Sequence, residues 1–243
     1  MIDKVFNKII GKLKYNSSRT YLSKFLDEIS NEIPSRSLIL DAGAGDGRYK
    51  EIFVNQIYES ADIGKLERNY GNLTYQCNIK NIPVEDNKYD AIICTQVLEH
   101  IDEPQKALYE FHRILKEGGK LYLTAPLYYP EHEIPYDFFR YTQYGFQFMF
   151  NKAGLEIEST EWLEGYFMTL ATQLWIGSGS LPLNYKKYGL GILGVILLPI
   201  MLLMKISFFI SAMILSRLDQ LYKLTTVGHC KNYVIKAKKI EKN

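Results

Sequence analysis

From Ser37 onward the chain alternates short apolar runs with amphipathic stretches. The runs SLILDAG, IYESADI, LTYQC, YDAIICT and KLYLTAP read as strands, and DEPQKALYEFHRILKEGG reads as a helix stopped by its glycines. LEIESTEW (155–162) and NYVIKAKK (232–239) predict two further strands. Such alternation calls for an α/β fold, a parallel sheet covered by helices on both faces. Ahead of it, Ile2, Val5, Phe6, Ile9, Ile10 and Leu13 fall at helical spacing with Lys4, Lys8, Lys12 and Lys14 mostly opposite, an amphipathic helix over 2–14. This helix either packs on the main domain or docks on a membrane surface. A second helix, about 18–32, stops before Pro34. The alternation breaks at GLGILGVILLPIMLLMKISFFISAMIL (189–215), whose one charge is Lys205.

Composition adds limits. The chain has 243 residues, enough for one substantial domain with additions, and a net charge of +2, against a general nucleic-acid binder. Cys77, Cys94 and Cys230 form no C-x-x-C pair and no even set, so a reducing compartment and no metal site are expected. The basic N-terminus lacks the apolar run of a signal peptide, so the cytoplasmic side is the expected location.

The first strand runs into LDAGAGDGRY, with Asp41 followed by Gly43, Gly45 and Gly47. Glycines there let the backbone turn tightly and approach a ligand. The third glycine of a dinucleotide fingerprint would fall at Arg48, which disfavours a nicotinamide dehydrogenase. Asp62 ends the second strand, where a carboxylate can take both hydroxyls of a ribose. Asn78 and Ile79 follow the third strand, where an adenine would lie. Ligands of open α/β sheets bind across these carboxyl ends.

Residues 37–126 resemble the class I S-adenosylmethionine-dependent methyltransferases, type 11-like, with the order of motifs intact. The resemblance implies a Rossmann-like seven-stranded sheet whose last strand, here 232–239, is antiparallel. It also implies S-adenosyl-L-methionine as cofactor, with Asp41, Gly43 and Gly45 around its methionine part. Asp62 would bind the ribose, Asn78 and Ile79 would flank the adenine, and Ala44, Ile63 and Gln96 complete the set. The family commonly has Asp at the position of Asn78, whose amide oxygen can also accept from the adenine amine. CTQVLEH lacks the Asn/Asp-Pro-Pro-aromatic motif of nucleobase N-methyltransferases, which disfavours that subclass.

The aromatic stretch APLYYPEHEIPYDFFRYTQYGF (125–146) resembles a bacterial subgroup found among glycan and cell-envelope functions. That resemblance puts the acceptor side at Tyr136, Asp137, Arg140 and Tyr141. For a hydroxyl acceptor a positioned base helps, and His132 is the first candidate, with His100 second. Against these readings stand a purely structural His132, a His100 that shapes the cofactor pocket, and an Arg140 that only pairs with Asp137.

The apolar stretch is long enough to cross a bilayer once. Because NYVIKAKK belongs to the sheet, however, the stretch must leave and return on one side. Its glycines, Pro199 as a breaker and a snorkelling Lys205 predict two short helices in a shallow hairpin, with Lys186, Lys187 and Arg217 toward anionic headgroups. A core or dimer interface in a soluble protein, or a single span, are the alternatives. The expected organisation is N-terminal helices over 1–33, the cofactor-binding core over 34–170, a membrane-associating insertion over 171–228, and the closing strand with a basic tail over 229–243. The expected activity is O-methylation of a lipid-linked glycan or other amphiphilic acceptor at the membrane. The alternatives are a soluble small-molecule or quinone-type C-methyltransferase, or a non-catalytic cofactor-binding partner protein.

Overall fold

The apolar runs pair into one sheet. The computed structural model describes residues 17–64, 72–223 and 227–240, so the helix expected over 2–14 lies outside the described residues. Strands β1 (Leu38–Ala42), β2 (Ile57–Asp62), β3 (Tyr75–Gln76), β4 (Tyr89–Thr95) and β5 (Leu115–Pro126) run parallel in the order β3-β2-β1-β4-β5. The last strand in the chain, β7 (Asn232–Lys239), lies between β5 and β6 (Leu155–Trp162) and is antiparallel to both.

Strand alternation explains the burial. Ile39, Ala91, Ile93 and Tyr122 share one face and are covered by helix α1 (Ser17–Glu32) through Phe25, Leu26 and Ile29. The intervening Leu40, Ile92, Leu121 and Leu123 are also buried, so both faces are dry and the strands read as continuous apolar runs. Cys94 is fully buried in this set, as packing.

The helix before β5 ends earlier than its sequence suggests. Helix α2 (Pro104–Ile114) stops four residues before the glycines, and Leu115 is already extended and paired with Tyr89. Asn87 and Lys88 donate their N–H groups to the carbonyls of Arg113 and Ile114, tying off the helix. The glycines instead serve an irregularity in β5, where Gly118 has φ +72° and a Cβ on Gly119 would meet the Lys116 carbonyl at 2.8 Å.

The described residues divide into two units, the sheet unit (Tyr21–Leu163 with 231–240) and a second comprising Glu164–Cys230 and 17–20. The expected boundary at 171 falls inside helix α4 (Tyr166–Ser180), which follows α3 (Gln143–Ala153). In the second unit α4 is joined through a turn at Tyr185–Tyr188 to α5 (Leu193–Tyr222). The two helices are antiparallel neighbours: Gly165 lies by Asp219, Trp175 by Phe209, and Leu181 by Lys205.

Two expectations are corrected here. Pro199 does not divide the apolar stretch, because α5 runs through it and loses only the one bond a proline nitrogen cannot donate. The returning partner is α4, outside the stretch. Lys205 does not snorkel either. It is fully buried, and its Nζ donates to the Leu181 carbonyl at 2.7 Å, at the C-terminus of α4. At the other end of α4 the buried Asp219 accepts from the N–H of Gly165, the N-cap, at 3.0 Å. A cation at the C-terminus and an anion at the N-terminus both complement the α4 dipole. Their separation of two heptads along α5, about 21 Å, matches the roughly 22 Å length of α4.

Replacing Lys205 by Met is expected to raise amide hydrogen exchange over the last turn of α4, residues 177–181, while leaving β1, β4 and β5 unchanged. The loss corresponds to about 1–2 kcal/mol locally. Unchanged exchange in that turn would contradict the capping role.

Candidate active site

The loop after β1 is shaped for close approach. Gly43 has φ +83°, and a Cβ there would lie 2.3 Å from a methyl of Val97, so no other residue fits without displacing that side chain. The loop is held by the Gly43 and Ala44 N–H groups, both donating to the Ala61 carbonyl of β2. At the end of β2 each carboxylate oxygen of Asp62 is fixed by a backbone donor. Oδ2 accepts from Gly45 at 3.0 Å and Oδ1 from Gly64 at 2.9 Å. Each oxygen keeps lone-pair capacity for a hydroxyl.

Beside these residues opens a cavity of about 280 Å³ at the carboxyl ends of the central strands. Of the expected cofactor residues, Gly43, Gly45, Asp62, Ile63, Asn78, Ile79 and Gln96 line it. Asp41 and Ala44 are buried and do not. The Asn78 Oδ1 accepts from the Lys80 N–H at 3.0 Å, a turn that holds Ile79 at the wall. Gln96 sits at φ +56°, a position few side chains adopt, held by its N–H on the Thr124 carbonyl and its Nε2 on Thr124 Oγ1. Asp41 is the electrostatically unusual member. Burial pushes its carboxyl up to about 6, although the Tyr58 hydroxyl donates to it at 2.5 Å.

The remaining wall comes from the segment after β5. The N–H groups of Phe138 and Phe139 both donate to the Glu99 carbonyl, and the Tyr141 hydroxyl donates to the Leu98 carbonyl at 2.9 Å. The aromatic loop is thereby fastened on the short 3₁₀ turn Leu98–His100 that follows β4. His100, Tyr136, Glu133 and Phe138 line the cavity. His100 Nδ1 lies 2.6 Å from the Tyr136 carbonyl, which can only accept. The proton therefore sits on Nδ1, leaving the Nε2 lone pair to a ligand. Burial holds this imidazole below the ordinary histidine value.

The other residues expected on the acceptor side have different surroundings. Arg140 donates to both oxygens of Asp137, at 2.6 and 2.7 Å, and to the carbonyls of Tyr129, Pro130 and Phe139. Asp137 also accepts from the His132 N–H, and its carboxyl is held far below the usual range by Arg140. Asp137, Arg140 and Tyr141 do not line the cavity, and their geometry is that of the loop's internal frame. His132 also lies off the cavity, its ring edge-on to His100 with centroids 4.7 Å apart. The pairing of Asp137 with Arg140 follows from their spacing and opposite charge.

The sequence reading missed Val97, Lys80 and Glu133 on the wall, and Glu99 behind it. Glu99 is fully buried, and neither carboxylate oxygen has a hydrogen-bond partner. Burial pushes its carboxyl up to about 8. A carboxylate inside the apolar run VLEHI was the available signal.

Comparison with known proteins adds a family match to part of the chain. Residues 40–123 match the family described as "Methyltransferase domain". An uncharacterized protein of Methanocaldococcus jannaschii is 39% identical over 36% of this chain and 40% of its own length. The ubiquinone/menaquinone biosynthesis C-methyltransferase UbiE of Desulfotalea psychrophila is 28% identical over 49% of this chain and 50% of its own. The chain thus spans half or less of these curated relatives. Geranyl diphosphate C-methyltransferase from Streptomyces coelicolor, solved with Mg2+, geranyl diphosphate and S-adenosyl-L-homocysteine, shares the fold. Its TM-score is 0.55 at 14% identity, over 91% of this chain and 79% of that one.

The buried charge on Asp41 gives a measurable signature. Its folded pKa of about 6 exceeds the ordinary 3.8, so the folded state binds this proton more tightly and stability declines as pH rises through that interval. Above it the charged carboxyl costs up to about 3 kcal/mol. Asp41→Asn is therefore expected to stabilise the cofactor-free chain at pH 7.5 by up to that amount, with the gain vanishing near pH 4. Denaturant titrations at both pH values check this, and a variant less stable at pH 7.5 would contradict it.

Proposed function

We propose that this chain, whose residues 40–123 form a class I S-adenosylmethionine-dependent methyltransferase domain, methylates an oxygen of an amphiphilic acceptor presented at a membrane surface. The observation that carries the cofactor assignment is the Asp62 carboxylate, oriented by two backbone donors beside the glycine loop and open to a ribose diol. Gly43 and Gly45 leave room for the amino-acid end of the cofactor, and the buried Asp41 charge favours a cation nearby. Ile79 and Ile63 supply an apolar bed for the adenine, and Asn78 a polar edge. When bound, S-adenosylmethionine supplies a methyl group on a positively charged sulfur. The chain's own contribution is mainly alignment and exclusion of water. Tyr136, Phe138 and His100 line the cavity, which supports an acceptor on their side, with His100 as the one lining histidine among the described residues.

The membrane assignment rests on α5. Its most apolar window has a mean hydropathy of 2.4 and is only 11% buried. The turns ahead of Lys205 extend past the end of α4 and expose Leu193, Ile196, Ile200 and Leu203. An apolar tip some 18 Å long inserts shallowly into one leaflet without spanning it. Lys186 and Lys187, in the turn before it, meet anionic headgroups. A lipid-linked glycan fits an acceptor delivered at that surface. The match to UbiE favours a second reading, carbon methylation of a quinone-type lipid.

Incubation of the full chain with methyl-labelled S-adenosylmethionine and lipid extract should move label into the organic phase, and Asp62→Ala should abolish transfer. Label accepted only from the aqueous extract would overturn the lipid assignment.

A further inference from the structure

Three side chains at the cavity's edge are arranged as ligands. Glu99, His100 and His132 each present one donor atom, and these atoms lie within 4.8 Å of one another. We propose that Glu99, His100 and His132 bind a divalent transition cation, zinc foremost, at the acceptor side of the cofactor cavity.

The first argument is the state of Glu99. It is wholly buried with neither oxygen hydrogen-bonded, and a buried carboxylate in that state is strongly disfavoured unless something positive shares the site. A metal ion supplies that partner directly. The second argument is the way both histidines are aimed. His100 Nδ1 is committed to the Tyr136 carbonyl, which leaves Nε2, 3.8 Å from Glu99 Oε1, as the metal-facing atom. His132 Nδ1 lies 3.2 Å from both Asp137 Oδ2 and the Pro130 carbonyl, which leaves its Nε2 available. An acceptor on the far ring nitrogen is what fixes the tautomer and orientation of a ligating histidine. Asp137 is itself clamped by Arg140, so the frame built by EHEIPYDFFR holds His132 against Glu99 and His100.

The ligand type follows from the donors. Two imidazoles and a carboxylate suit zinc or a neighbouring transition ion better than magnesium or calcium, which prefer all-oxygen shells. Donors about 2.0–2.2 Å from a tetrahedral centre lie roughly 3.4 Å apart, so small side-chain rotations close the present spacing. The Glu133 carboxylate, 3.8 Å from His100 Nε2, adds negative charge beside the site. Three protein ligands leave a position open, and His100 lies on the cavity wall, so that position is within reach of an acceptor oxygen. What the cation does there rests on the methyltransferase reading; its binding does not.

The test uses the full chain after chelator treatment and dialysis, titrated with Zn2+ by calorimetry and with Co2+ by visible absorption, and separately with S-adenosylhomocysteine. One equivalent of metal per chain is expected. Glu99→Gln and His132→Gln should each weaken it by about tenfold or more, while S-adenosylhomocysteine affinity stays within about twofold. The His132 side chain is a third exposed, so that variant keeps the test open if Glu99→Gln fails to fold. Absence of a saturable metal site, or a site indifferent to the His132 variant, would overturn the proposal. Metal binding without S-adenosylhomocysteine binding would instead leave the site standing and overturn the methyltransferase reading.

Discussion

The pairing of β7 with both β5 and β6 governs how the rest of the chain is used. Tyr233 pairs with Ala125 on one side and Trp162 on the other, so the segment between Trp162 and Asn232 begins and ends at one end of a strand pair. The long apolar helix inside that segment must therefore come back. It returns by pairing with α4, and the two buried charges of α5 meet the two ends of that shorter helix. An apolar surface of α5 is left exposed.

The same economy of position governs the site. Glycine at 43 brings the β1 loop against Val97, and Asp62 is fixed by the backbone of that loop and of Gly64. On the other rim the aromatic loop has no regular structure of its own before Gln143. It gains order from carbonyls of the Leu98–His100 turn and from the Asp137–Arg140 clamp. The glycine-loop wall and the aromatic-loop wall meet at His100, whose ring is oriented from the loop and whose backbone belongs to the sheet side.

Much of this was legible in the residues. The strands LEIESTEW and NYVIKAKK were readable to the residue, because alternation and turn signals are local, and seven of the nine residues expected around the cofactor line one cavity because they sit at strand ends. Three features were not. The end of α2 was misjudged because tertiary bonds from Asn87 and Lys88 close it before its glycines do. Lys205 reads in sequence as reaching outward because its partner, the Leu181 carbonyl, is a backbone group with no sequence signature. Glu99 passed unnoticed because a buried carboxylate becomes conspicuous only once its surroundings are seen to lack a partner.

The central claim is an adenosyl cofactor held by Asp62, and calorimetric titration of the full chain with S-adenosylhomocysteine tests it most directly. One site per chain is expected, with Asp62→Ala weakening it about thirtyfold or more as two charge-assisted hydrogen bonds are lost. No binding, or binding indifferent to the substitution, would contradict it.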